Sequence, residues 1–308
     1  MTAANRPSLK TSIVKGVLRL LLPLLMLAHG TQAIEASEPG SKPPTRPRIA
    51  IIIDDIGYHY EHGKRSINLP GAVTLAVIPF TPNATRLANL AHKQGKELML
   101  HAPMSNINGT PMEPGALTED MNRETFISRL RESIDSVPHI QGLNNHMGSL
   151  LTQQAPAMSW LMGELKAQQL YFVDSRTSAD SIAWQSARNQ ALPTLKRDIF
   201  LDHERNEAFI EQQFQRLLRI ATSQGQAVGI GHPYPETLAY LTKAIPELNL
   251  LNIELVSISA LMANSNPEPP QQPAPIPFYL APQDYENPAP LFPYLHLGTA
   301  ASINLLAE

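Results

Sequence analysis

The chain has 308 residues, 28 of them proline and none cysteine, with a formal net charge of -3. A hydrophobic share of 43% is near the globular norm and excludes a charge-rich disordered protein. The missing cysteines exclude a disulfide scaffold and any thiolate metal site, and 24 basic against 27 acidic residues leave no global basic footprint for nucleic acid.

Residues 1–33 read as a secretory signal peptide. Arg6, Lys10, Lys15 and Arg19 supply its charges, Leu20–Ala28 its apolar stretch, and Thr31 and Ala33 the small residues of a cleavage site. The stretch is far short of the ~20 apolar residues of a spanning helix, and Pro23 interrupts it. No stable membrane span is expected after cleavage; an uncleaved anchor is the alternative. The expected location is periplasmic or secreted. Cleavage removes four positive charges and leaves -7, which disfavours anionic lipid and nucleic acid further. Residues 34–48, with Pro39, Pro43, Pro44 and Pro47, read as an extended linker.

From residue 49 to 262 the pattern changes. Short apolar runs alternate with longer amphipathic stretches. The runs are Ile49–Ile53, Val73–Ile78, Leu98–Leu100, Ile140–Leu143, Leu170–Val173, Ile199–Leu201, Ala227–Ile230 and Ile253–Ile258. Their length and β-branched content predict buried strands. Helices are predicted over Thr85–Gln94, Arg123–Ser136, Pro156–Gln169, Glu207–Ser223 and Pro235–Ala244. This rhythm implies an α/β domain: a distorted (β/α) barrel of about seven units, with parallel strands and outer helices. A doubly wound open sheet is the alternative. Residues 263–308 hold ten prolines between Pro267 and Pro293, a density that blocks helix and central strand alike. They read as a mostly disordered tail, whose aromatic residues leave room for a protein partner.

Polar residues follow nearly every apolar run. Asp54 and Asp55 follow the first, His101 the third, and Asn144, Asn145 and His146 the fourth. Asp174, Ser175 and Arg176 follow the fifth, Asp202 and His203 the sixth, and His232 the seventh. In a parallel sheet these ends share one rim, where α/β folds place their sites. Asp oxygen with His nitrogens suits zinc or another divalent metal, with positions left for water and substrate. A second Asp can then take a proton from water, and a histidine across the rim can give one to the leaving group.

The stretch Ile51-Ile52-Ile53-Asp54-Asp55-Ile56-Gly57 resembles the first motif of polysaccharide deacetylases, and His101 falls 46 residues after Asp55, where that superfamily has its metal-binding histidine motif. With HAPM (101–104), GLNNHMGS (142–149), VDSRT (173–177) and GHPYPETL (231–238), the chain is similar to the divergent polysaccharide deacetylases of the bacterial cell envelope. That resemblance implies a metal-dependent deacetylase of a polysaccharide such as peptidoglycan or another acetylated amino sugar polymer. It assigns Asp54 as general base, His232 as general acid and Asp174 as the group that orients a catalytic histidine. Asp55, His101 and His146 become the metal ligands. His146 replaces the superfamily's second histidine, whose place four residues after His101 is taken by Ser105. Asn144, Asn145 and Arg176 are the candidate oxyanion or substrate donors, since the superfamily's Arg-and-Pro motif has no clean match. A glycan-binding or cell-wall regulatory protein that kept the fold and lost turnover is the competing expectation.

Overall fold

The apolar run at Ile49 becomes strand β1 (Arg48–Ile56) in the computed structural model, which describes residues 46–263. The expected signal peptide, nearly all of the linker and the tail from residue 264 lie outside the described residues. Side chains of β1 alternate between two layers, as the two-residue period of a strand requires. Ile49, Ile51 and Ile53 join the larger apolar cluster, shared with helices; Ala50 and Ile52 join a smaller one inside the curl of the sheet.

The elements then follow in order: α1 (Tyr60–Ile67), β2 (Thr74–Val77), α2 (Ala84–Lys93), β3 (Glu97–Met104), α3 (Arg123–Ser136), β4 (Ile140–Met147), α4 (Ala155–Ala167) and β5 (Tyr171–Asp174). Next come α5 (Ala183–Asn189), β6 (Thr194–Lys196), β7 (Ile199–Phe200), α6 (Glu207–Gln224), β8 (Gln226–Gly231), α7 (Pro235–Glu247), β9 (Glu254–Leu255) and α8 (Ile258–Ala263). Helix starts are marked by local chemistry. The Asn122 and Asn206 side chains each accept a backbone N–H of the first turn, at 2.9 Å. Besides the C-terminal α8, two helices escape the sequence pattern. The segment forming α1 is mostly polar and contains Gly63, which lets Leu87 of α2 pack against its backbone. The segment forming α5 has only seven residues.

All strand pairs are parallel, in the order β6-β5-β4-β3-β2-β1-β8-β7, with β9 added to β1. The edge strands β6 and β7 are separated by only Arg197 and Asp198. The Arg197 N–H bonds the Asp174 carbonyl on one edge, and the Asp198 N–H bonds the Val228 carbonyl on the other, both at 2.9 Å. One stretch of chain therefore switches partner from β5 to β8 and bridges the sheet edges. The result is a distorted parallel barrel with outer helices rather than an open doubly wound sheet.

The predicted strand over Ile253–Ile258 is shorter than expected. Only Glu254 and Leu255 pair with β1, after which the chain turns into α8. Ser257 Oγ and the buried Glu97 carboxylate accept the first N–H groups of that helix. Ile258 and Leu261 then fill the inner cluster from the end opposite the polar rim.

Candidate metal and catalytic site

Strand parity decides which rim residues face inward. Asp54 continues the inward series of Ala50 and Ile52 and is buried. His101 follows Met99 on β3; Asn144 and His146 share a face of β4; His232 follows Val228 and Ile230. Asp55 has the wrong parity for the interior. Its φ of 57° and the register break between Ile53 and Ile56 turn it back toward the rim. A left-handed backbone at a non-glycine residue is strained and is retained where the surroundings enforce it. Gly57 completes the turn: its φ is 139°, and a Cβ there would overlap Thr81 Oγ1.

These turns bring three donors together. Asp55 Oδ1 lies 3.3 Å from His101 Nε2 and 3.1 Å from His146 Nδ1, and the two ring nitrogens are 3.1 Å apart. Asp54 stands beside them, with Oδ2 at 3.6 Å from His101 Nε2. Across the rim, His232 Nδ1 lies 2.8 Å from Asp202 Oδ1.

A sequence model of the divergent polysaccharide deacetylase family matches residues 51–262, which span every one of these side chains. The chain belongs to the divergent polysaccharide deacetylase family. It is 33% identical over 243 residues to the uncharacterized protein YibQ of Escherichia coli (strain K12), covering 76% of each chain. It is 32% identical over 256 residues to an uncharacterized protein of Haemophilus influenzae, covering 83% of this chain and 89% of that one. Among solved structures, the uncharacterized protein ATU2773 from Agrobacterium tumefaciens C58 superposes with a TM-score of 0.68 at 27% identity, over 71% of this chain and 91% of that one.

In this member of the divergent polysaccharide deacetylase family the donor set fits a divalent metal. Asp55 Oδ1 is buried and has no hydrogen-bond partner, although two imidazoles crowd it. His101 Nδ1 faces Asn144 Oδ1 at 2.8 Å, so that nitrogen carries the proton and Nε2 offers a lone pair. His146 Nε2 faces Glu113 Oε1 at 3.2 Å, which leaves Nδ1 as its donor. Two lone pairs and a carboxylate oxygen so close together repel unless a metal ion, or in its place a proton on His146, lies among them. Burial opposes charge on Asp55, but His101 and His146 outweigh it and hold its carboxyl well below the usual carboxylate range. Burial likewise opposes charge on His146, but Asp55 and Glu113 outweigh it and push the imidazole up to about 10. Burial raises Asp54, partly offset by His101 and His232.

Four sequence expectations change. Asp174 shares the parity of Phe172 and points away from the interior. Its carboxylate accepts the Arg176 N–H and Ser181 hydroxyl at 2.8 Å and the Trp184 N–H at 3.3 Å, so it organises the loop before α5. The partner of His232 is Asp202, two residues beyond the inward Phe200. Asn144 bridges His101 and Asp54, donating to Asp54 Oδ1 at 2.8 Å, so its amide is engaged within the site. Asn145 faces the other way, accepting the Ser175 N–H at 2.9 Å and donating to the Met147 carbonyl at 2.8 Å. The Arg176 guanidinium turns outward to the Ala179 carbonyl.

Two features had no sequence signal. A column of stacked groups holds the His232 ring. The Arg197 guanidinium lies 3.7 Å over Phe200, which stacks on His232; His232 stacks on Tyr234, and Arg205 lies 3.7 Å over Tyr234. The other is Glu113, carried over the site by the long loop between β3 and α3. A carboxylate behind a ligating histidine fixes its ring and raises its basicity. Glu113→Gln is expected to weaken metal affinity about tenfold while leaving the fold intact, as read by competition with a coloured chelator.

Proposed function

We propose that this protein is a zinc-dependent deacetylase of an acetylated amino sugar polymer of the bacterial envelope, exported by its N-terminal leader. The convergence of Asp55 Oδ1, His101 Nε2 and His146 Nδ1 beside a second, buried carboxylate carries this reading. Asp55, His101 and His146 would hold the ion, which supplies Lewis-acid activation of water and of the acetyl oxygen. Asp54 is placed to accept the proton of the attacking water. Its raised pKa suits a base, and Asn144 fixes its orientation. His232, protonated and held by Asp202, is placed to give a proton to the amine as the carbon–nitrogen bond breaks. Water oxygen ends on acetate, and one free amine appears for each acetate released. Among the described residues no helix is long and apolar enough to cross a membrane, which is compatible with a released periplasmic protein.

The test is acetate release by zinc-loaded protein from neutral and anionic N-acetylated oligosaccharides. Acetate and free amine should appear in equal amounts, and Asp54→Asn should abolish both. If no oligomer is turned over and Asp54→Asn binds the same glycans as tightly as wild type, the protein is a binding module.

A further inference from the structure

A cleft of about 370 Å3 opens directly onto Asp55, lined by Tyr58, His59, His62, Arg205, Tyr234 and the flanking prolines 233 and 235. Its volume is at the small end of the range for small-molecule sites. The exposed Tyr58 ring suits a sugar face, while His232 and Arg205 occupy the ring of Tyr234. Its charge is the informative feature. In a chain with an acidic excess, this cleft has one acidic residue, Asp55, whose Oδ1 is turned to His101 and His146. Its permanent cation is Arg205, exposed and stacked on Tyr234, with no carboxylate within ion-pair distance among the described residues. The adjacent Glu204 accepts from the Asn206 side chain and does not line the cleft. His59 and His62, with rings 5.3 Å apart, add two more potential donors.

Two stacking steps, 3.7 and 5.4 Å, separate the Arg205 guanidinium from the His232 ring. The guanidinium is therefore set apart from the His232 ring rather than in contact with it. Tyr234 is itself pinned between two prolines at the start of α7, so the guanidinium rests on a rigid platform. A planar guanidinium on such a platform matches a carboxylate in two-pronged fashion.

We propose that this cleft is the subsite for a carboxylate-bearing sugar next to the acetylated one, and that Arg205 is its specificity residue. The inference rests on the deacetylase reading for its place in the reaction, but the subsite can be measured by binding alone. The probes are oligomers alternating N-acetylglucosamine with glucuronic acid, the same oligomers with carboxyls reduced to alcohols, and a version bearing phosphate esters instead. For wild type, kcat/KM is expected to favour the carboxylate over the reduced oligomer about tenfold, the scale of one good charge-assisted contact. The ratio should fall toward one in Arg205→Gln, persist in part in Arg205→Lys, and shrink with added salt. Equal rates on charged and reduced oligomers in wild type, or an undiminished preference in Arg205→Gln, would overturn the proposal. A stronger preference for the phosphate ester would overturn the carboxylate assignment. If no oligomer releases acetate, the deacetylase reading fails by itself. Calorimetric affinities for the same probes then decide the subsite, with the same ratio and Arg205 dependence expected and equal affinities overturning it.

Discussion

His146→Ala is expected to emerge from purification without its divalent ion and to release acetate at least about a thousandfold more slowly, a loss near 4 kcal/mol of barrier lowering. Among the described residues three protein donors converge at the site, so losing one leaves Asp55 and His101 to hold a cation that ordinarily needs three. The substitution also removes the ring between the Asp55 and Glu113 carboxylates, which then face each other without a cation. His101→Ala should behave alike, because its Nε2 meets the same Asp55 oxygen at 3.3 Å. Ser105→Ala is the contrasting case. Ser105 stands four residues after His101, where the superfamily carries its second motif histidine, and its buried hydroxyl has no hydrogen-bond partner. Removing it should leave metal content unchanged and stability unchanged or slightly raised. Elemental analysis after gel filtration, beside the acetate assay, checks all three variants. Stoichiometric metal in His146→Ala would remove this residue from the site.

The difference between Ser105 and His146 shows what the residue order can and cannot convey. Asp54, His101 and His232 were legible because each closes an apolar run, and runs in a parallel barrel end on one rim. That rule counts only distance along the strand. It assigned Asp174 to the site because Asp174 follows Val173, and it ignored that alternate residues of β5 face opposite layers. Counting in twos from the inward Tyr171 and Val173 would have excluded Asp174. Counting in twos from Phe200 singles out Asp202, rather than His203, among the residues after the sixth run. Asp55 violates the same parity and reaches the site only through a bulge and a left-handed turn. The Asp-Asp-Ile-Gly pattern carried that signal through its glycine. Glu113 had no signal. It lies in a long loop without periodicity, and tertiary contact alone brings its carboxylate to His146. The same holds for the Arg197–Phe200–His232–Tyr234–Arg205 column, whose members come from β7, the segments on either side of it and the loop after β8.

Asp202 supports the second large effect. Its buried carboxylate accepts the His232 backbone N–H at 2.6 Å, the His232 ring at 2.8 Å and the Thr237 hydroxyl at 2.8 Å. Burial pulls the imidazole toward neutrality, but the Asp202 hydrogen bond and charge outweigh it and lift His232 to about 9. A general acid must be protonated, so wild-type activity should persist on the alkaline side until His232 loses its proton near that value. Asp202→Asn keeps the shape and removes the charge. The alkaline limb of kcat/KM should move down toward the ordinary histidine range near 6.5, and activity at pH 8 should fall about thirtyfold. The same pairing affects stability, with a definite sign. Because His232 is raised on folding, its contribution is fully present below about pH 6.5 and is lost as pH rises through about 9. Asp202→Asn should therefore destabilise the protein most at pH 6, by no more than about 3 kcal/mol, and much less at pH 10. Urea unfolding at those two pH values measures the difference directly. An unmoved alkaline limb together with a pH-independent stability loss would show that Asp202 only anchors the loop after β8 and does not hold the proton on His232.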